Sequence, residues 1–327
     1  RDDEAKNERG ALIAQELASM TDLAGVIGSV NTGVVLAGDK HLQEKGITKI
    51  ICPAAGSASM TQWTKPETSP KQLSIFRFAA HDGIQAAMVV QEAIRRGFTK
   101  VLLLHDATNY GVSGRDDLVG QIAKQGNKLE VVATEKFNIG EKAKGAQAVL
   151  IWGIGPELAA VANGMAKIGF KVPLIGGWTL SMSNFIDNAG PNGNGTIMPQ
   201  TFIEEPITPR AKAFIDAYHK AYAVDRIPSP VSAAQGYDAV LIFAAAVKQA
   251  GSAESLKIRD ALEDLKEPVE GVIARWAKPY SKWDPTNVET HEAFRAEQVV
   301  MGMVKDGRVV FANDADKARL QARGAKK

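Results

Sequence analysis

The order of apolar and amphipathic runs along this chain predicts an open α/β fold with mostly parallel strands. Three observations carry that prediction. Strand-like segments alternate with helix-like ones through most of the chain. At 327 residues the chain is long enough for two domains of ordinary size. Two of the strands, within VIGSVNTGVVLA (Val26 to Ala37) and IICPAAGSASMT (Ile50 to Thr61), run into loops of Gly, Ala, Ser, Thr and Asn before a helical pattern begins.

Taken in order, a helix is expected at 7–20, a strand at 23–29, a helix at 34–45 and a strand at 48–52. A helix at 83–96 then leads to the apolar strand 100–105 and a helix at 113–125. Strands at 129–134 and 147–152 follow, then a helix at 156–168 and a strand at 172–175. Asn188 to Gly195 (NAGPNGNG) is rich in turn formers and reads as a surface loop. The helix expected at 209–223 carries Phe214, Ile215, Tyr218 and Tyr222 at helical spacing, hence one apolar face. Helices at 232–249 and 253–265 come next, and QVVMGMV-KDG-RVVFA reads as a hairpin turning at Asp306-Gly307. The basic tail from Lys317 to Lys327 reads as a solvated, frayed end.

One link resists this reading. Strands 129–134 and 147–152 are expected to be parallel neighbours, yet a parallel crossover needs about a dozen residues or more, usually helical. The connecting FNIGEKAKGA, from Phe137 to Ala146, has neither the length nor the periodicity. Residues are therefore expected to be missing near position 140. The chain also opens at Arg1-Asp2-Asp3 without a methionine, which suggests a lost upstream segment.

Composition removes several functions. Basic and acidic residues number 39 and 37, a formal charge of +2, which argues against a general nucleic-acid surface. The longest apolar run, at 239–247, is half of the roughly 18 residues a membrane span requires. The single cysteine, Cys52, excludes an internal disulfide and reads as a buried inert thiol. The five histidines are scattered without zinc spacing, so no metal site is expected. Asp2-Asp3, Asp116-Asp117 and Glu204-Glu205 read as caps and solvated faces. Gly153-Ile154-Gly155-Pro156-Glu157-Leu158 sits between strand and helix but has leucine where the dinucleotide fingerprint needs its third glycine. Neither a phosphate-binding Walker sequence nor a Gly-x-Ser-x-Gly elbow occurs.

What remains points to binding without chemistry. The two small-residue loops contain no charged side chain and offer backbone N–H groups, hydroxyls and helix ends, which hold an anion such as a carboxylate through dipoles. Trp152, Tyr110 and Trp178 each fall at or just after the carboxyl end of an expected strand, the edge at which open α/β sheets bind ligands. Three aromatics at one edge suggest an aromatic-lined pocket.

In motif order and spacing the chain resembles the type I periplasmic solute-binding proteins of ABC importers, in the leucine/isoleucine/valine-binding branch. The segments that carry the resemblance are the opening RDD, VIGSVNTGVVLA, ICPAAGSASMT, FRFAAHD, VLLLHDATNYG, IWGIGPELAAV, PLIGGW and AAQGYDAV. The resemblance implies two doubly wound, Rossmann-like lobes joined by a hinge. Lobe one would comprise 1–80 and 205–292, lobe two 81–204, with 293–327 crossing back to it. It also implies a further strand, helix and strand before the RDD, and a helix between FNIGEK and AKGAQAVL. Ligand would sit in the cleft, and the closed form would dock on a membrane permease. A periplasmic monomer is expected, without cofactor, metal, catalytic residue or nucleic-acid partner.

By position, the resemblance gives the ligand carboxylate to Thr32, beside Asn31, and to the loop of Ala54, Ala55, Gly56 and Ser57. Gly56 stands where the family has a hydroxyl, and Ser57 could substitute. Tyr110 matches the aromatic that closes over the ligand. Ile154 and Trp178 replace the tyrosine and glutamate that hold the ammonium group of amino-acid ligands. Loss of that carboxylate suggests a ligand with a carboxylate but no α-amino group, and a flat body suited to Tyr110, Trp178 and Phe202. An aromatic acid of benzoate, hydroxybenzoate or cinnamate type is the expectation. A branched-chain amino-acid binder, a ligand-sensing domain of a receptor or regulator, and an NAD-dependent enzyme are the alternatives.

Overall fold

The computed structural model describes residues 1–135 and 145–325, with side chains as far as residue 322. The expected gap near position 140 falls on residues 136–144, outside the described residues. The chain forms two compact units, Arg1–His81 with Ser232–Gln298 and Asp82–Val231 with Val299–Lys327, so it crosses between them three times.

The first unit opens with α1 (Asn7–Ala18), β1 (Val26–Ile27), α2 (Thr32–Glu44), β2 (Lys49–Ile51), the single turn α3 (Ala58–Thr61) and β3 (Ile75–Arg77). Strands β1, β2 and β3 make a parallel sheet in that order, with Val26 opposite Lys49 and Ile50 opposite Phe76. Val35, Leu42, Ile51, Met60, Leu73 and Ile75 pack into its core with Trp63 and Trp283.

The second unit begins with α4 (Asp82–Arg95), β4 (Lys100–His105), α5 (Asn109–Lys124), β5 (Glu130–Glu135), β6 (Ala148–Trp152), α6 (Pro156–Lys167) and β7 (Leu174–Gly176). It continues through α7 (Ser183–Ala189), β8 (Ile197–Gln200) and α8 (Pro209–Tyr222). The chain then returns to the first unit with α9 (Pro230–Ala250), α10 (Ser255–Glu263), β9 (Val269–Glu270) and β10 (Arg275–Trp276). It ends in the second unit as β11 (Val300–Lys305), β12 (Arg308–Phe311) and α11 (Asp314–Ala325). The tail expected to fray is therefore helical as far as Ala325.

The sheet of the second unit has seven strands in the order β12-β11-β8-β7-β6-β4-β5. Strands β5, β4, β6, β7 and β8 are parallel, while β11 is antiparallel to both β8 and β12. This order corrects the expected neighbours but not the need for a crossover, since β5 and β6 are both parallel to β4. Strands β5 and β6 are not neighbours, because β4 lies between them and pairs with both. Val101 to Leu104 and Val149 to Trp152 are fully buried. That is the pattern of central parallel strands covered on both faces.

Residues 205–231 fall in the second unit, and the contacts show why. Phe214 on α8 packs edge-on against Phe202, His219 pairs with Glu204, and Arg226 pairs with Asp187. Helix α9 is the described helix long and apolar enough, by length and composition, to cross a membrane. Its buried Asp238 nevertheless accepts hydrogen bonds from the N–H groups of Val272 and Ile273 and from Trp276 Nε1, as a core helix would.

On α4, buried Glu92 is held by Arg95 and by Arg96 at 2.8 and 2.7 Å. Burial pushes its carboxyl up, but the two guanidiniums more than offset this and leave it below the usual range. A carboxyl depressed on folding stabilises above its unfolded pKa of about 4.3, and the contribution is lost as pH falls through the folded value. Urea melts should accordingly show Glu92→Gln less stable than wild type at neutral pH, with the difference closing in acid.

Candidate functional site

In the first unit the chain leaves β1 and enters α2 with Asn31 as the extended N-cap residue, whose carbonyl accepts from the N–H of Val35 at 3.1 Å. Thr32 is the first residue of the helix. It is 1 % exposed, and its Oγ1 has no hydrogen-bond partner among the described residues. The second loop follows β2 and contains buried Ala54, Ala55 and Gly56 and half-buried Ser57. The N–H of Ala54 donates to the carbonyl of Ser29 at 3.1 Å, tying the two loops together.

Arg77, from β3, holds this loop from beneath. Its Nη1 donates to the carbonyls of Ala55 and Gly56 at 3.1 and 2.6 Å, while Nε donates to Glu292 Oε2 at 2.8 Å. Arg77 and Glu292 are each 1 % exposed, and Nη2 completes a bidentate pair with Oε1. The guanidinium occupies the negative ends of two peptide dipoles, so what the loop offers an anion is its N–H side and its hydroxyls. Helix α3 is only four residues long, so the helix-end contribution in this unit comes from α2 alone.

Gly56 is required by close approach. A Cβ there would lie 2.3 Å from Thr32 Oγ1, so a second-loop hydroxyl cannot stand at this position while Thr32 keeps its rotamer. Cys52 is buried with its thiol pushed far up by burial and by the Asp238 charge, which makes it unreactive.

In the second unit the parallel strands β4, β6, β7 and β8 end at one edge of the sheet. Asp106, just after β4, fastens two of those ends together. Its Oδ1 accepts from the N–H and hydroxyl of Thr108 at 2.9 and 2.5 Å, and its Oδ2 accepts from the N–H of Ile154 at 2.8 Å. The Thr108 hydroxyl in turn caps α5 by accepting from the N–H of Gly111 at 3.1 Å. This cap sets the position of Tyr110, whose ring tilts against Trp152 at 6.1 Å between centroids. The buried Tyr110 hydroxyl makes no side-chain hydrogen bond of good geometry among the described residues, and it lies 2.9 Å from where a Cβ on Gly177 would be. Burial, reinforced by the Asp82 carboxylate, raises its phenol well above the ordinary value.

Trp178, after β7, is held through its backbone. Its N–H donates to Gln85 Oε1 at 3.0 Å, and its carbonyl accepts from the Ser181 hydroxyl at 2.7 Å. The buried indole Nε1 has no partner among the described residues. Trp152 is fully buried and donates through Nε1 to Asp82 Oδ2 at 3.2 Å, which makes it a core residue that supports Tyr110. Phe202 also lies near this edge, but its ring packs on Phe214 of α8 at 5.6 Å and 87°.

The structure thus gathers Asn31, Thr32 and the 54–57 loop in the first unit. In the second it gathers Tyr110, Ile154 and Trp178 at one sheet edge, with Phe202 turned toward α8. Sequence reasoning missed Arg77, Asp106 and Gln200. The available signal was a polar residue set inside or directly after an apolar strand, as in SIFRFAA, LLLHDA and IMPQTF. No group of three or more metal-ligating side chains occurs among the described residues.

Comparison with known proteins gives these features a family. The periplasmic binding protein family profile matches residues 1–287. The Leu/Ile/Val-binding protein homolog 3 of Brucella melitensis is 25 % identical over 285 residues, covering 83 % of this chain and 73 % of that protein. The leucine-, isoleucine-, valine-, threonine- and alanine-binding protein of Pseudomonas aeruginosa is 26 % identical over 251 residues, covering 72 % of this chain and 63 % of its own length. A type 1 periplasmic binding protein from Bordetella pertussis superimposes with a TM-score of 0.79 at 25 % identity, over 95 % of this chain and 86 % of that one.

These findings overturn the expectation of an aromatic acid as ligand and partner. The relatives are named for binding aliphatic amino acids. That expectation rests on the missing glutamate as the means of holding an ammonium group. The structure shows other buried acceptors, Asp106 and Gln200, at the same sheet edge. The fold is that of the type I proteins, two α/β lobes, and the family binds solutes without catalysing a reaction. The chain belongs to the periplasmic binding protein family.

Proposed function

We propose that this protein captures a branched-chain amino acid, leucine, isoleucine or valine, and delivers it to an ABC permease. The observation that carries the reading is the similarity to a Leu/Ile/Val-binding protein over 83 % of the chain. The chemistry of each unit agrees with it. In the first unit, Thr32 Oγ1 and the N–H side of the 54–57 loop, beside Asn31, receive the carboxylate. In the second, Ile154 and the rings of Tyr110 and Trp178 provide apolar surface for a branched aliphatic side chain, at about 25 cal/mol per Å² removed from water.

Thermal unfolding with and without ligand tests the proposal. Leucine, isoleucine or valine at 100 times its dissociation constant should stabilise the protein by about 2.7 kcal/mol, which raises the melting temperature by several degrees. Unchanged melting with all three, each at millimolar concentration, would reject it.

A further inference from the structure

Gln200 carries a buried acceptor that the roles above leave unused. It is the last residue of β8, which runs parallel to β7 and so ends at the same sheet edge as Trp178. The residue is 0 % exposed. Its amide orientation follows from its neighbours: Nε2 donates to the Pro199 carbonyl at 2.7 Å and reaches the Trp178 carbonyl at 3.5 Å. Both of those groups can only accept, so the reversed amide would set oxygen against oxygen. Oε1 is thereby turned away, and it has no hydrogen-bond partner among the described residues. The neighbouring strand makes room for this side chain, because a Cβ on Gly302 would lie 2.8 Å from Gln200 Cγ.

A buried acceptor without a donor is costly, and native proteins rarely keep one without a use. We infer that Gln200 Oε1 accepts a hydrogen bond from the α-ammonium group of the ligand. The inference rests on the amino-acid reading above and adds a residue to it. Ile154 and Trp178, at the positions where the resemblance places the ammonium-holding tyrosine and glutamate, present an alkyl group and an N–H donor. Gln200 is in contact with the Trp178 backbone and presents the acceptor that both lack. A carboxamide is neutral, so no uncompensated charge is buried when ligand leaves. The hydrogen bond it makes to an ammonium is nevertheless charge-assisted, and so stronger than a neutral one.

The test is calorimetric titration of the full chain with leucine and with 4-methylpentanoate, which has the same skeleton without the amino group. Wild type should prefer leucine. Gln200→Met, similar in volume, should weaken leucine about 10- to 100-fold while changing 4-methylpentanoate by no more than about 2-fold. Gln200→Glu restores an acceptor and should bind leucine at least as tightly as wild type. The assignment is overturned if Gln200→Met binds leucine as wild type does, or if wild type does not distinguish the two ligands. It is equally overturned if Gln200→Met loses both ligands alike and Gln200→Glu fails to recover leucine. Wild type that binds no branched-chain amino acid rejects the amino-acid reading itself, and Gln200 with it.

Discussion

Arg77→Met should destabilise the first unit by about 3–5 kcal/mol, the usual consequence of removing one partner of a buried ion pair. The change leaves Glu292, at 1 % exposure, as an unpaired charge and takes the donor from the carbonyls of Ala55 and Gly56. Urea denaturation monitors the loss directly. Replacing the whole pair with apolar residues of similar volume is often close to neutral, so Arg77→Met with Glu292→Leu should recover most of the stability. Ligand affinity should not recover with it, because the two loop carbonyls still lack their donor. Recovery of both together would show that Arg77 supports the fold without shaping the loop.

Trp152→Ala should cost the second unit a similar amount, about 3–5 kcal/mol, the range for removing a large buried aromatic. The indole is fully enclosed, and the packing around it is exact enough that a Cβ on Gly114 would fall 2.0 Å from its Cδ1. Its loss also removes the donor at 3.2 Å from Asp82 Oδ2 and the ring behind Tyr110. Equilibrium unfolding should therefore show a large drop for alanine and a smaller one for Trp152→Phe. A change below about 1 kcal/mol for alanine would mean that the ring borders open space and acts as a pocket wall.

The sequence conceals Arg77 and shows Trp152 only as a candidate pocket wall, and the reasons are physical. Strand β4 was legible to the residue, because a long run of buried apolar side chains leaves no other reading. Eight helices were legible to within a few residues, but the short α3 and α7 were not expected and α11 was read as a frayed tail. Strands β3 and β8 were not, since each is three or four residues long and is interrupted by a polar or ring-closed residue, Arg77 in one and Pro199 in the other. Strand order is outside the reach of periodicity, which is why β5 and β6 were expected side by side when β4 separates them.

The candidate site divides in the same way. Tyr110, Ile154 and Trp178 could be placed because each follows a strand end, and parallel strands bring their ends together. Phe202 follows a strand end as well, but the direction of its ring is set by Phe214 on a helix distant in sequence. Asp106 and Gln200 look in one dimension like ordinary turn residues. Their roles emerge only when their partners, Ile154 in one case and the Trp178 carbonyl in the other, are known. The aromatic-acid expectation failed at this step. It rests on the acceptors visible in a motif, whereas the buried acceptors Asp106 and Gln200 come from the ends of other strands.

The most direct test of the whole account is calorimetric titration of the wild-type protein with leucine, isoleucine and valine. Saturable binding of at least one of them, with one site per chain and a dissociation constant of about 10 μM or tighter, is the predicted result, corresponding to roughly 7 kcal/mol or more. Absence of heat and of saturation with all three, from a protein that unfolds cooperatively, would contradict it.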